Sequence, residues 1–238
     1  MNKYGIIGKP LEHSYSALYF TDKFTREHID AEYQAYEIND LTNIDTLMQE
    51  LCGFNVTHPY KQTIMAHLQD IDPVAKEIGA VNVVHKQKGY NTDWIGFMQS
   101  IAPHLTENDK HALLLGTGGA SKAVQYALQE LGLRFTLVSR TPTDNTIGYN
   151  DITNHTLQQH SVIVNCTPLG MLPNVNSLPP IPYHLLTPAH LLYDCVYNPP
   201  CTAFLNEGKK RGTRIVNGLQ MLQMQANAAW DIWKEDNQ

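Results

Sequence analysis

The stretch HALLLGTGGASKAVQYALQELGLRFTLVSR, residues 111–140, predicts a strand, a glycine-rich turn, a helix and a second strand in direct succession. Its first apolar run is typical of a parallel strand covered on both faces. The turn that follows would bring backbone N–H groups to a helix N-terminus, where the macrodipole favours an anionic phosphate. The stretch therefore predicts a dinucleotide site. Its cofactor-binding residues would be Gly116, Thr117, Gly118, Gly119 and Ala120.

The residues at the end of the second strand indicate whether the dinucleotide is NAD or NADP. An NAD site places Asp or Glu about 20 residues past the turn to bind the ribose 2′-hydroxyl, but residues 131–143 contain neither. Arg140 can instead pair with a 2′-phosphate, with Ser139 and Thr141 as hydroxyl donors. The alternative is a surface arginine at a strand end. We predict that the cofactor is NADP.

Composition and charge limit the classes of partner. The chain has 238 residues and a formal net charge of −6, which does not favour nucleic acid as a partner. No apolar run approaches the roughly 18 residues of a membrane span, and the apolar run at the N-terminus is too short for a signal peptide. The four cysteines form no CxxC pair and the histidines form no HExxH, so we expect no metal and a reducing cytoplasm.

The first hundred residues alternate between predicted strands and helices, which indicates a small α/β unit. Residues 4–8 predict a strand, and His13-Ser14-Tyr15-Ser16 begins a helix that ends near His28. Ser14 and Ser16 could cap this helix, since a serine hydroxyl satisfies free N–H groups. They could equally hold a substrate carboxylate beside the helix N-terminus.

Lys61 lies in the sequence Asn55-Val56-Thr57-His58-Pro59-Tyr60-Lys61, ahead of a predicted helical run to Leu68. With Pro59 at the first helical position, Lys61 would occupy the first turn. The macrodipole disfavours a cation there and would lower the pKa of the lysine, as would partial burial. Lys61 is therefore either a solvated surface lysine or a group suited to proton transfer.

Two polar residues follow in a predicted β-hairpin, Ala80–Tyr90, with its turn near Lys88-Gly89. Asn82 interrupts an apolar strand, so its side chain faces either solvent or a site. Asp93 precedes another helix and is either an N-cap or the carboxylate partner of a proton-transfer lysine.

Later segments add strands at residues 161–166, 191–197 and 213–217, a long proline-rich loop at residues 172–188, and a helix from Thr202 to Lys210. A closing helix begins at Gly218 and carries one apolar stripe. Gln225 borders that stripe and must find a hydrogen-bonding partner, either a backbone group or a ligand. Cys195 is better explained by packing than by a nucleophilic role.

Several of these stretches together resemble the shikimate dehydrogenase family. They are residues 8–16, residues 55–61, Gly89–Phe97, the GTGGAS turn, NCTPLGM at residues 165–171, YDCVYNP at residues 193–199 and GLQML at residues 218–222. The chain departs from the family pattern at Ala17, where proline is usual, and at Ser139, where asparagine is usual.

The resemblance implies specific roles. Lys61 would be the catalytic proton-transfer residue, working beside Asp93. Tyr197 would lie near the substrate, while the backbone at Cys195 and Gly218 would lie near the nicotinamide. The implied substrate-binding residues are Ser14, Ser16, Thr57, Asn82, Asp93, Tyr197 and Gln225.

The sequence thus predicts an α/β protein of two domains with a cleft between them. Residues 1–98, completed by a C-terminal helix at 219–238, would bind substrate, and residues 99–218 would form a Rossmann-like NADP-binding domain. The predicted reaction is the reversible reduction of 3-dehydroshikimate to shikimate. The alternatives are an NAD-dependent quinate/shikimate dehydrogenase and a non-catalytic NADP-binding sensor. We expect a cytoplasmic monomer or homodimer that has no nucleic-acid or membrane partner.

Overall fold

The computed structural model describes residues 1–11 and 14–234. The predicted helix start at His13 and residues 235–238 of the predicted closing helix lie outside the described residues. The α-helices are α1 Tyr15–Arg26, α2 Ile44–Glu50, α3 Pro73–Ile78, α4 Asp93–Ile101, α5 Gly119–Glu130, α6 Asn154–Gln159, α7 Ala203–Lys210 and α8 Leu219–Lys234. Short 3-10 helices occupy Thr63–His67, Ala102–His104, Tyr149–Asp151 and Tyr183–Leu185.

The strands alternate with these helices, which confirms the predicted α/β class. They are β1 Asn2–Gly8, β2 Ala31–Glu37, β3 Gly53–Val56, β4 Asp70–Ile71, β5 Val83–His85, β6 Lys88–Tyr90, β7 His111–Leu115, β8 Arg134–Ser139, β9 Ile147–Gly148, β10 Val162–Asn165, β11 Leu191–Asp194 and β12 Arg214–Val216. The pattern did not predict α3, α6, β4 or β9, because elements this short carry little periodicity.

The chain divides into two compact units. The first is Met1–Thr92 with Gln225–Gln238, and the second is Asp93–Met224. Helix α4 therefore belongs to the second unit, and α8 contributes its first residues to the second unit and the rest to the first.

The first unit is built on a mixed six-stranded sheet of order β2-β1-β3-β5-β6-β4. Strands β2, β1 and β3 run parallel, β5 is antiparallel to β3, and β6 is antiparallel to β5. The carboxyl ends of β1, β3 and β6 and the amino end of β5 therefore lie at one edge of the sheet. Loops at this edge form crevices where ligands bind in α/β proteins.

Helix α8 completes the first unit by packing aromatic residues on this sheet. Trp233 is buried and stacks on Tyr4, with ring centroids 5.1 Å apart, and its indole N–H donates to the Val84 carbonyl at 3.2 Å. A Cβ at Gly53 would lie 2.4 Å from the Trp233 ring, so glycine is required there. These contacts fix the position of the Gln225 side chain two turns earlier on α8.

The second unit is built on a six-stranded sheet whose pairs are all parallel, in the order β12-β11-β10-β7-β8-β9. Numbered within this unit, the order is 6-5-4-1-2-3, which is the strand order of doubly wound dinucleotide-binding folds. The central strand β7 is buried from Ala112 to Leu115, as predicted from its continuous apolar run.

One predicted element is wrong. Residues 58–62 form a turn and Thr63–His67 a 3-10 helix, so Lys61 does not lie in the first turn of an α-helix and the macrodipole argument does not apply to it.

The predicted hairpin is present as β5 and β6. Its turn residues are Lys86 and Gln87, with φ values of 48° and 60°, directly before Lys88. Gly89 lies in β6, where a Cβ would lie 2.5 Å from the Leu68 side chain.

Candidate functional site

The glycine-rich turn occupies the topological switch point of the second unit. Strand order reverses between β7 and β10, so the loops that follow these strands diverge to opposite faces of the sheet. Gly116 follows β7 with φ of +105°, and a Cβ there would lie 2.9 Å from the Thr167 methyl and 3.4 Å from the Cys166 backbone. Glycine is therefore needed both for the backbone angle and for the close approach of the loop that follows β10.

The N-terminus of α5 presents an open backbone surface. Gly118 is the N-cap and is exposed, and a Cβ added to it would have nothing within 4 Å. The N-terminal N–H groups of this 12-residue helix can therefore receive a phosphate without steric obstruction. Ser121, at the position of the usual third glycine, is fully buried, so a small residue there packs the helix closely against the sheet as predicted.

The three residues predicted to bind a 2′-phosphate lie together at the end of β8. Ser139 is the last residue of the strand, and its hydroxyl accepts from the Thr141 N–H at 3.2 Å. Arg140 is exposed, and within residues 1–11 and 14–234 no carboxylate pairs with its guanidinium. A cation unpaired at this strand end can receive an anionic ligand.

Cys195 and Gly218 are in direct backbone contact. A Cβ at Gly218 would lie 2.3 Å from the Cys195 carbonyl oxygen, so no larger residue fits. Strand β11 ends at Asp194, so residues 195–197 form a loop and not the strand end that was predicted. The hydrogen bond to Cys166 and then burial raise the pKa of the Cys195 thiol well above 9.

A buried network that the sequence did not reveal shapes the same edge of the second sheet. Asp194 accepts from the Val196 N–H, the Thr202 hydroxyl and the Asn165 amide, at 3.0, 2.5 and 3.0 Å. Asn165 also accepts from the Thr167 N–H and hydroxyl. Burial raises the pKa of Asp194 to about 6, although the three hydrogen bonds act to lower it. The network ties the loops after β10 and β11 to the start of α7.

Ser14 and Thr57 lie at the carboxyl edge of the first sheet, where its strand order reverses. Ser14 follows β1 as the N-cap of α1, but its hydroxyl makes no capping bond, so the capping interpretation of Ser14 is wrong. Thr57 follows β3 and donates its N–H to the Ile7 carbonyl at 2.9 Å. A Cβ at Gly8 would lie 2.3 Å from the Thr57 methyl, so glycine at the end of β1 allows the two loops to approach.

Ser16 is buried near the start of α1, in the neighbourhood of Tyr33. The Tyr33 hydroxyl donates to Asn55 Oδ1 at 2.7 Å, and Asn55 Nδ2 in turn donates to the Asn82 carbonyl at 3.3 Å. This polar chain links β2 to β3 and to the residue that precedes β5.

Asn82, Thr92 and Gln225 form a buried amide cluster at the same edge. Asn82 Nδ2 donates to Thr92 Oγ1 at 3.0 Å and to Gln225 Oε1 at 3.2 Å, and Asn82 Oδ1 accepts from the Thr92 N–H at 2.6 Å. Asn82 therefore points into the protein and not to solvent. The sequence analysis expected Gln225 to bond either a backbone group or a ligand. In the structure it bonds the Asn82 side chain.

Lys61 and Asp93 both adjoin this cluster through the main chain. The Lys61 carbonyl accepts from the Val81 N–H at 2.7 Å, one residue before Asn82. Asp93 follows Thr92 directly, is buried, and is the first residue of α4 and not its N-cap. Lys61 is half-buried, so it is not a fully solvated surface lysine.

Tyr197 is half-buried in the second unit, whereas Ser14, Ser16, Thr57, Asn82 and Gln225 belong to the first.

Sequence reasoning missed several members of the buried hydrogen-bond networks described above, namely Thr92, Tyr33, Asn55, Asn165 and Asp194. The available signal was a polar residue inside or at the end of a buried strand, which Asn55, Asn165 and Asp194 all are.

Within residues 1–11 and 14–234, no helix is long and apolar enough to cross a membrane. In the same ranges, no group of three or more His, Cys, Asp or Glu side chains could hold a metal ion.

Comparison with known proteins gives one consistent family. A family model described as the shikimate dehydrogenase substrate binding domain matches residues 6–84. The chain is 35% identical to the shikimate dehydrogenase (NADP(+)) of Bacillus cereus strain AH187, across 97% of the chain and 91% of that protein.

Solved structures agree with this result. The shikimate dehydrogenase of Aquifex aeolicus superposes with a TM-score of 0.87 at 33% identity, over 98% of this chain and 92% of that one. The shikimate 5-dehydrogenase of Thermus thermophilus, solved in complex with NADP(H) and shikimate, gives a TM-score of 0.88 at 29% identity, over 98% and 93%.

Proposed function

The chain belongs to the shikimate dehydrogenase family, and from this premise we infer that it is an NADP-dependent oxidoreductase acting on a CH–OH group. It catalyses the reversible reduction of 3-dehydroshikimate to shikimate in aromatic amino acid biosynthesis. The observation that carries this function is the buried Asn82–Thr92–Gln225 cluster, which adjoins Lys61 through Val81 and is followed at once by Asp93.

The first unit, Met1–Thr92 with Gln225–Gln238, is the proposed substrate-binding domain. The hydroxyls of Ser14, Ser16 and Thr57 hold the substrate carboxylate, a role that suits uncharged donors at a strand edge beside the N-terminus of α1. The amides of Asn82 and Gln225 hold ring hydroxyls, and the buried cluster fixes both side chains for this role. Tyr197 lies near the bound substrate.

Lys61 and Asp93 carry the proposed proton transfer. Lys61 gives a proton to the alkoxide that develops as the ketone is reduced, and it takes the proton back in the reverse direction. Asp93 holds the reacting hydroxyl and stabilises the charged form of Lys61.

The second unit, Asp93–Met224, is the proposed cofactor domain, and bound NADPH supplies the hydride. The residues present fit this cofactor. The exposed N-terminus of α5 at Gly118 has room for the pyrophosphate, and the unpaired Arg140 suits a 2′-phosphate. Gly116, Thr117, Gly119 and Ala120 complete the phosphate-binding turn, and the backbone at Cys195 and Gly218 borders the nicotinamide.

Arg140→Ala weakens NADP binding by about 10- to 100-fold and leaves NAD binding nearly unchanged, because it removes a charge-assisted contact that only the 2′-phosphate can make. Dissociation constants for both cofactors, measured by the quenching of tryptophan fluorescence, check this. Arg134→Ala, at the exposed opposite end of β8, should change neither. If Arg140→Ala weakens the binding of NADP and NAD equally, Arg140 does not recognise the 2′-phosphate, and the NAD-dependent alternative is favoured.

The activity itself is tested by following NADPH absorbance in purified protein supplied with shikimate and NADP. We expect NADPH to form with shikimate and NADP, and much more slowly with shikimate and NAD. Binding of NADP without turnover of shikimate would instead identify a non-catalytic sensor. A parallel assay with quinate and NAD tests the quinate/shikimate dehydrogenase alternative, which predicts that NADH forms.

The setting and assembly follow from the same proposal. We place the protein in the cytoplasm because its reaction consumes a soluble metabolite and a soluble dinucleotide. It acts as a monomer or homodimer, which sedimentation velocity would distinguish.

A further inference from the structure

Cys166 and Cys195 lie side by side at the carboxyl ends of β10 and β11. We propose that they form an oxidation site, at which a hydroperoxide joins the two thiols in a disulfide and thereby weakens NADP binding. Their Sγ atoms are 4.0 Å apart, and both cysteines are free. The effect on NADP rests on the proposed function, whereas the formation of the disulfide does not.

The backbone places the two cysteines at a separation that a disulfide can span. Asn165 pairs with Asp194 in the parallel ladder, so Cys166 and Cys195 are the next residues in register. The Cys195 N–H donates to the Asn165 carbonyl at 3.0 Å, which continues the ladder to this point. Neighbouring strands lie about 4.8 Å apart, inside the range of about 4.4 to 6.8 Å between the Cα atoms of a disulfide.

The two sulfurs have different parts in the reaction. The neighbouring Cys166 and burial raise the pKa of the Cys195 thiol, so Cys195 keeps its proton and Cys166 is the sulfur that reacts first. Its sulfur attacks the hydroperoxide, the O–O bond breaks, and water or an alcohol leaves, with a sulfenic acid formed on Cys166. The Cys195 sulfur then attacks the Cys166 sulfur, the S–O bond breaks, and the oxygen leaves as water with the Cys195 proton. The two thiols together lose two electrons, which the peroxide gains.

The disulfide would act on the cofactor through two glycines. A Cβ at Gly116 would lie 3.4 Å from the Cys166 carbonyl carbon, and a Cβ at Gly218 would lie 2.3 Å from the Cys195 carbonyl oxygen. When the disulfide forms, the distance between the two Sγ atoms shortens from 4.0 Å to about 2 Å. This change pulls the backbone of Cys166 and Cys195, which Gly116 and Gly218 contact. Gly116 and Gly218 both belong to the proposed cofactor site, so the turn that holds NADP is displaced.

The chain offers a matched background for the test. Its other two cysteines, Cys52 and Cys201, are exposed, and neither has been given a part in binding or catalysis. The variant C52S/C201S therefore retains only the proposed pair and should keep the activity of the unmodified protein. Adding C166A to this background removes one member of the pair, with a side chain no larger than the original.

Hydrogen peroxide is the probe. In C52S/C201S we expect the intact mass to fall by two hydrogen atoms and a peptide linking Cys166 to Cys195 to appear. The dissociation constant for NADP should rise about tenfold or more, equivalent to losing one hydrogen bond to a charged group. Dithiothreitol should reverse all three changes, and C52S/C201S/C166A should show no loss of two hydrogens.

Two results would overturn the inference. One is an unchanged mass, or a mass that gains oxygen without losing two hydrogens, in C52S/C201S. The other is a disulfide that forms while NADP affinity stays the same. NADP binding by the reduced protein checks the proposed function separately, since the mass measurement does not depend on the cofactor.

Discussion

Lys61→Ala lowers kcat for shikimate oxidation by about 10² to 10⁴, the contribution typical of a positioned general acid–base group, while KM for shikimate changes little. In the proposed function, Lys61 handles the proton of the reacting hydroxyl, whereas the serine, threonine and amide side chains hold the rest of the substrate. Steady-state kinetics at saturating NADP measures both constants.

Lys61→Arg separates proton transfer from charge. Arginine keeps the positive charge but does not give up its proton in proteins, so the variant should stay nearly as slow as Lys61→Ala. Lys76→Ala, an exposed lysine on α3, serves as the control and should match the unmodified protein. A large rise in KM with nearly normal kcat would show instead that Lys61 only binds substrate, and high activity in Lys61→Arg would show that its charge suffices.

Asp109→Ala lowers the free energy of unfolding by about 3 kcal/mol, because it removes the carboxylate that pairs with the Arg214 guanidinium and leaves that charge with only its two backbone carbonyl acceptors. Asp109 receives Arg214 Nη1 and Nη2 on separate oxygens, both at 3.1 Å, and its side chain is 1% exposed. Since Arg214 is 32% exposed, water offsets part of the loss, and the figure lies at the lower end for a broken buried pair. Urea unfolding followed by far-ultraviolet circular dichroism gives the value.

The pH dependence of stability follows from the same carboxylate. Burial alone would raise the pKa of Asp109, but hydrogen bonds from Arg214, Ser161 and Thr106 outweigh burial and lower it to about 2. A pKa lowered in the folded state means that the stabilisation is complete above the ordinary value of 3.8 and is lost as the pH falls through about 2. In Asp109→Ala, the free energy of unfolding should therefore depend less on pH in this acid range.

The control for Asp109 is an exposed pair. Asp70→Ala breaks the contact with Lys88 at 2.9 Å, where the Asp70 side chain is 63% exposed, and should leave the free energy of unfolding unchanged. Asp109→Ala combined with Arg214→Ala should cost less than the sum of the single changes. Strict additivity, or an equal loss in Asp70→Ala, would contradict a special role for the buried pair.

The sequence was sufficient for the second unit because its signals are local. The apolar run of β7, the turn at Gly116 and the following helix succeed one another directly, so local pattern predicted a parallel strand, a glycine-rich turn and a helix, and all three are present. The absence of an acidic residue near Arg140 likewise needs no tertiary structure to be seen.

The sequence misled where a short segment takes its conformation from its neighbours. Residues 59–68 have helical periodicity, yet the Lys61 carbonyl accepts from the Val81 N–H, a distant partner, and 3-10 geometry follows at Thr63. Here a long-range contact overrides local preference.

The sequence by itself determined the α/β class, the dinucleotide turn and the identity of the candidate residues, because each depends on periodicity or on residue type at short spacing. Tertiary structure alone decided the partners. Asn82 is joined to Gln225 across 143 positions of sequence, and Asp109 to Arg214 across 105. No local pattern encodes such pairs, since they form only when strand order and helix packing bring distant segments to the same edge of a sheet.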